Sequence, residues 1–546
     1  MTAGGAASPG KWPASWGPVR NSTLATGGMV SSSAPSVSAL GARVIADGGT
    51  AVDAALAMTA MSWLALPGQC GIGGDFFAVV REPDGRVWTV NGSGFGPDGA
   101  TAEDYLDRGL TSVPLSGPQA VATPGAIGAL ATLHQHGGTR SLAELWAPTA
   151  AAARTGVPCT AKNRRDITEH ADALARDADL AEWLLPTGRV PAVGDLLSSA
   201  RLADSIELLA RRPQALYRGE LAERAVDLLQ AGGAPFSGEE WVLGGDMPAE
   251  AAISAPYRDV LVHQTLPPSP GWMLLQQAGL LDGRLTGLPT AGAEAVHLLA
   301  LAARRAFRDR YERCASDNDA WRDLLADVEL DRARRELGRE PAVSGAPTGT
   351  AGDTTSCLAV DGDGRAVSAI SSLAFTFGAR ISIPGTGIAL NNRLARGAYL
   401  LPGHPNALAP RRKPMHTLNA WIATDARGRL RHVGNTPGGD GQVQWNMQLL
   451  SHLVDGGLDP QEAVSAPRTS VHPGSDADAL GTPETLQCES RLGADVLAEL
   501  TARGHDVRDM GDWGGGGSAL VISVDADRGV LAGAADPRMD GVALGA

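Results

Sequence analysis

Residues 338–353, GREPAVSGAPTGTAGD, carry no apolar periodicity and are dominated by Gly, Pro, Ala and Thr. They run straight into Thr354 and Thr355, which open the stretch SCLAVDGDGRAVSAISS. That stretch is two apolar runs folded on an Asp-Gly turn, the pattern of a β-hairpin. A linker set directly against a strand destined for burial divides the chain and constrains each side of the division. After it come further strand patterns: GIALNN, NAWIATDARGRLRHVGN and ALVISVDADRGVLAGA, the last two again turned on Arg/Gly or Asp/Gly. Before it helical and strand patterns alternate. PSVSALGARVIADGGTAVDAALAMTAMSWLAL predicts two helices broken at Gly48-Gly49, and FFAVVREPDGRVWTVNG a hairpin turned at Asp84-Gly85. RDVLVHQTLPPSPGWMLLQQAGLLDG predicts a strand, a Pro-rich turn and a helix, and AGAEAVHLLALAARRAFRDRYERC a long amphipathic helix. The expected domains are an irregular arm at 1–27, a segment at 28–353 ending in the linker, and a segment at 354–546.

Composition excludes several classes. With 546 residues, 43% hydrophobic and 19% charged, the chain supports a large globular core. The net charge is −14 and no basic stripe occurs, which argues against nucleic-acid binding. Its only lysines are Lys11, Lys162 and Lys413. Five dispersed cysteines without a CxxC pair argue against a disulfide framework and a zinc site. The run from Ala51 carries Asp53 and ends in Pro-Gly, which reads as a buried helix rather than a membrane span. The first residues lack the apolar core of a secretory signal, so a cytoplasmic protein with reduced thiols is the expectation. DGDG at 361–364 is a hairpin turn rather than a calcium loop, because the later ligands are missing. GIGGD at 71–75 lacks dinucleotide-binding spacing. No cofactor or metal is expected.

Threonine begins many strands simply because it is β-branched. Its hydroxyl is a poor nucleophile unless a base stands beside it, and an N-terminal threonine carries that base as its own α-amine. To expose the amine, the bond between Asp353 and Thr354 must be cut. A linker ending at Asp353, followed by a threonine fixed on a strand, has the layout that self-cleavage needs.

The chain resembles the γ-glutamyltransferase (γ-glutamyltranspeptidase) family of N-terminal-nucleophile hydrolases over residues 28–546. The resemblance rests on GGMVSSSAPSVSALGARVIADGGTAVDAALA, PGQCGIGGDFFAVV, TPGAIGALATLHQHGG, PPSPGWMLLQQAG, DTTSCLAVDGDGRAVSAISS, PGTGIALNN, NTPGGDGQVQWNMQLLSHLVDGGLDPQEAVSAPR and AADPRMDG, in that order. It implies an α+β fold, a four-layer αββα sandwich, and a precursor cut into large and small subunits. It also implies Thr354 as nucleophile, Ser372 as the second hydroxyl that positions it, and Gly438-Gly439 as the oxyanion-binding pair. A backbone N–H there is worth about 3 kcal/mol to the tetrahedral intermediate.

The departures fall where the family sets substrate identity. Ser93 stands where the family's transferases hold a carboxylate-binding Arg, and Arg396 stands where they hold an acid for the substrate's amino group. Ala374 replaces an Asn, and His416 and Thr417 replace two serines. A glutamyl ammonium would then face Arg396, an unfavourable pairing. LLPGHPNALAPRRKPMHT resembles the oxamate amidohydrolase-like branch, which makes Arg393 and Arg396 candidates to hold a substrate carboxylate. The expected reaction is cleavage of a small amide or N-acyl substrate, with water or an amine as acceptor. A glutamyl transferase with a rebuilt pocket and an inactive relative remain as alternatives. A cut heterodimer is expected, further homo-oligomerisation is left open, and the Gly-rich loop at 512–518 is expected near the site or as a surface loop.

Overall fold

The computed structural model describes residues 16, 20–337, 354–475, 477 and 480–546. The linker, Asp353 within it and most of the 1–27 arm lie outside the described residues. Two seven-stranded antiparallel sheets form the centre. Their strands are β1 (Thr23–Ala25), β2 (Met29–Ser32), β3 (Asp75–Arg81), β4 (Val87–Gly92), β5 (Ala249–Ala251), β6 (Ile253–Tyr257) and β7 (Val260–Gln264), followed by β8 (Thr355–Val360), β9 (Ala366–Ser372), β10 (Ala420–Asp425), β11 (Leu430–Asn435), β12 (Leu520–Asp525), β13 (Val530–Ala535) and β14 (Val542–Gly545). One sheet runs β14–β2–β8–β9–β3–β4–β5 and the other β1–β13–β12–β11–β10–β7–β6. The arm is therefore not irregular throughout, since β1 pairs with the β13 edge.

Helices cover both outer faces. α1 (Pro35–Ala46), α2 (Ala51–Ala65) and α3 (Ala126–Gly137) lie on the first sheet. On the second lie α4 (Gly271–Leu281) and α6 (Gly441–Val454), with α5 (Ala293–Arg313) packed against them. The result is the αββα sandwich implied by the resemblance. It also explains the wording of the sequence. An antiparallel sheet with one wet face alternates apolar and polar residues, yet β3 is buried at every position. Its Phe76, Ala78 and Val80 face the α1–α3 layer, and Phe77 and Val79 face the other sheet. Cys357 and Ala359 divide from Leu358 and Val360 in the same way along β8. Period-two side-chain alternation persists, but both faces are dry, so the run reads as continuously apolar.

The expected helix break at Gly48-Gly49 has a defined cause. Gly48 has φ +84, and Thr50 then caps α2 by accepting a hydrogen bond from Asp53 N at 3.1 Å while Asp53 Oδ2 accepts from Thr50 N at 3.0 Å. α2 is buried at all but its last residue, as a helix between other layers must be. Asp361 Oδ1 accepts from Asp363 N and Arg365 N in the β8–β9 turn, so DGDG serves the hairpin.

Candidate active site

The ends of four neighbouring strands build the site. The β8–β9 register pairs Thr355 with Ser371, which sets Thr354 beside Ser372. Thr354 is buried, and its Oγ1 donates to Ser372 Oγ at 3.2 Å. Ser372 Oγ also accepts from Ala374 N at 2.9 Å. Ala374 adopts φ +86, in the left-handed region that a non-glycine residue enters only at a cost. On the other side of β9, Ser372 is the register partner of Asp75. Gly74 makes that approach feasible, because a Cβ there would stand 2.3 Å from the Ser372 carbonyl oxygen.

Asp75 centres a buried charged group that sequence reasoning missed. Arg393 Nε donates to Asp75 Oδ2 at 2.8 Å, and His416 Nε2 faces the same oxygen at 3.3 Å. The His416 contact is poorly aligned for a hydrogen bond, and its Nδ1 has no partner among the described residues. All three side chains are fully buried. Burial alone would raise the Asp75 carboxyl. The Arg393 charge, with the His416 contact adding, outweighs it and holds the group below the usual carboxylate value. Burial, with Arg393 adding, pushes His416 down to about 4, so its imidazole is neutral at pH 7. The signal in the sequence was a carboxylate opening a wholly apolar strand, DFFAVV, where burial demands a cation.

The two arginines of NNRLAR, on the short helix Arg393–Gly397, divide in role. Arg393 turns inward to Asp75. Arg396 stacks 4.5 Å over the Phe375 ring and donates to the Ala374 carbonyl at 3.3 Å. Asn391 and Asn392 hold this helix in place. Asn391 Oδ1 accepts from Ala122 N and Arg393 N, and Asn392 Oδ1 accepts from Phe375 N.

β11 from the facing sheet brings Gly438 and Gly439 to the same end. Ser356 Oγ donates to Asn435 Oδ1 at 3.1 Å, tying β8 to the last residue of β11. Gly438 and Gly439 have φ +129 and +57. A Cβ on Gly438 would stand 2.2 Å from the Trp445 ring, and one on Gly439 2.4 Å from Arg396 Nη2. Neither position has room for a side chain. The 512–518 loop reaches the same wall, since Gly517 lies against Trp445 and the Pro437 carbonyl. Thr417 is buried next to His416 on the segment entering β10, and Ser93 is fully buried just beyond β4. Thr354, Ser372, Ala374, Arg396 and Gly439 thus form one connected constellation. His416 and Arg393 connect to it through Asp75.

The chain is similar to known proteins over nearly its whole length. The gamma-glutamyltranspeptidase family model matches residues 37–546. A glutathione hydrolase-like proenzyme of Bacillus subtilis is 32% identical, covering 96% of this chain and all of that protein. An oxamate amidohydrolase proenzyme of Klebsiella pneumoniae is 30% identical, again covering 96% of this chain and all of its own length. The crystal structure of a cephalosporin acylase from Bacillus halodurans superposes with a TM-score of 0.88 at 29% identity, covering 99% of both chains.

Proposed function

The chain belongs to the gamma-glutamyltranspeptidase family, and from that membership and its site we propose that Thr354 is the self-generated nucleophile of an amide-cleaving enzyme. The protein is an autoprocessed amidohydrolase or acyltransferase of the N-terminal-nucleophile type. The observation that carries the assignment to Thr354 is the 3.2 Å contact of its hydroxyl with Ser372 at the head of β8, where the linker joins.

In the maturation step, Thr354 Oγ adds to the Asp353 carbonyl and the peptide nitrogen leaves, giving an ester. Water hydrolyses the ester, freeing Asp353 as a carboxylate and Thr354 as an amino terminus. The segments 28–353 and 354–546 are then separate polypeptides. In turnover, Oγ adds to the substrate amide carbonyl while the α-amine takes the hydroxyl proton. Gly438 and Gly439 N–H groups stabilise the oxyanion. The amine proton passes to the leaving nitrogen, the C–N bond breaks, and an acyl-threonine ester remains. Water or an amine then accepts the acyl group.

The pocket is basic, and its donor is an acid amide or N-acyl compound rather than a standard γ-glutamyl group. Arg396 beside Gly439 is positioned to meet an anionic acyl group near the scissile bond, and Arg393 acts through Asp75. His416 and Thr417 line the acyl side. The relative named for oxamate, the amide of a small acid, supports this reading.

An intact-mass spectrum and amino-terminal sequencing test it. Two fragments are expected, the lighter beginning at Thr354, and Thr354→Ala should remain one chain of 56.1 kDa. A light fragment beginning elsewhere, or cleavage of Thr354→Ala, would overturn the assignment.

A further inference from the structure

Asp440 directly follows the Gly438-Gly439 pair and precedes α6. The turn between them is tight, since Gly441 N donates to the Gly438 carbonyl at 3.1 Å and Gln442 N to the Gly439 carbonyl at 3.0 Å. The Asp440 carboxylate is buried, and its Oδ2 accepts from Arg310 Nη2 and, at 2.7 Å, from Ser475 N. Arg310 Nε donates to Ser475 Oγ at 2.7 Å, so one buried guanidinium holds both groups. Tyr399 Oη donates to the Ser475 carbonyl and ties down the far side of the same cluster. Gly474, at φ +79, makes the approach feasible, because a Cβ there would stand 2.5 Å from Asp440 Oδ2.

A buried carboxylate beside an oxyanion site is a liability on two counts. Uncompensated, it is unfavourable to enclose, and it repels the negative charge that forms on the neighbouring substrate oxygen. Arg310 removes both difficulties and makes the turn depend on α5, a helix on the other side of the linker. Arg310 lies 130 positions before Asp440, and a cut after Asp353 leaves the two on separate polypeptides. The glycines themselves are bounded by contact, Gly438 against Trp445 and Gly439 against Arg396. A steric wall resists motion in one direction, whereas an ion pair with a second hydrogen bond resists it in several. Oxyanion donors act only when held to within about 0.5 Å of the productive geometry, so such a brace bears directly on rate.

We propose that Arg310 is a positioning residue for the oxyanion-binding turn, acting through Asp440 and Ser475 from the opposite polypeptide. It holds the direction of the Gly438 and Gly439 N–H groups and cancels the Asp440 charge beside them. The two polypeptides of the mature enzyme then complete the site jointly. One brings Thr354 and the glycines, and the other brings the cation that aims the glycines. This inference rests on the assignment of Gly438 and Gly439 as oxyanion donors.

The test mixes p-nitrophenyl acetate with mature enzyme in excess and follows p-nitrophenolate release in a single turnover, with the acetyl adduct located on the light fragment by mass. Arg310→Met and Asp440→Ala should each lower the limiting acylation rate about tenfold or more, with the half-saturating concentration changed less than about twofold. Misplaced donors weaken the transition state and leave ester binding alone. The double variant should be no slower than the slower single variant, because both changes remove one brace. Arg310→Lys keeps the ion pair, loses the second contact, and should fall between wild type and Arg310→Met. Circular dichroism reports folding, and the double variant, which leaves no member of the pair uncompensated, carries the test if a single variant does not fold. Lower thermal stability with an unchanged limiting rate, a change confined to half-saturation, or single effects that multiply in the double variant would overturn the proposal. Gly438→Ala checks the premise in the same assay. A wild-type rate in Gly438→Ala would overturn the oxyanion assignment, whereas a slowed Gly438→Ala beside an unaffected Arg310→Met overturns the brace alone. Wild-type enzyme that forms no adduct at Thr354 would overturn the acyl-threonine reading.

Discussion

At the residue scale, the chemistry depends on groups that have little freedom. Gly438 sits at φ +129 against Trp445. In Gly438→Ala the clash would turn its N–H away, and kcat should fall about 100-fold or more while the purified protein remains folded by circular dichroism. Ser372→Ala removes the partner of the Thr354 hydroxyl, and single-turnover kinetics should give slower acylation with little change in KM. Asp75→Asn removes the carboxylate that the enclosed Arg393 Nε meets. Denaturant unfolding should report a loss of about 3–5 kcal/mol, because a half-broken buried pair costs far more than the pair contributes.

At the element scale, the β8–β9 hairpin is both the scaffold and the aiming device. Its register sets Thr354 against Ser372, and the turn immediately after β9 forces Ala374 to φ +86. Ala374→Gly relieves that strain, offset by a more flexible unfolded chain. A net gain of about 0.5–1 kcal/mol is expected in chemical denaturation. The hairpin and the helix break at Gly48-Gly49 were legible in the sequence, because turn glycines and Asp side chains act over two to four positions. The two-sided burial of β3 and β8 was legible only as continuous apolar character. Which layer each residue faces required the second sheet.

At the scale of the whole molecule, the segments on either side of the linker are interleaved. β8 pairs with β2, β9 with β3, and β10 with β7, so strands from before and after residue 353 are hydrogen-bonded side by side in both sheets. The matured fragments should co-elute in gel filtration and separate only in denaturant. The fold also sets the response to acid. Burial pushes His263, His416, His432, His452 and His505 down from 6.5 to about 4. The unfolded chain therefore binds more protons than the folded one in this range. Stability is fully present above pH 6.5 and is lost as the pH falls toward 4, by on the order of 1 kcal/mol per pH unit for each histidine. Thermal unfolding scans across that window should show Tm falling steadily with acidity.

The sequence determined the mixed strand and helix character and the linker set against Thr354, and its resemblance to a family pointed to Ser372 and to the glycines at 438 and 439. Those are local patterns or motifs in which each residue's own chemistry carries the information. Tertiary structure alone decided that Arg393 turns to Asp75 and that Arg396 stacks over Phe375 beside Gly439. Asp75 and Arg393 are 318 positions apart, and their pairing exists only once two sheets and their loops have closed around them. A charge's meaning depends on what surrounds it, and no window of sequence contains those surroundings.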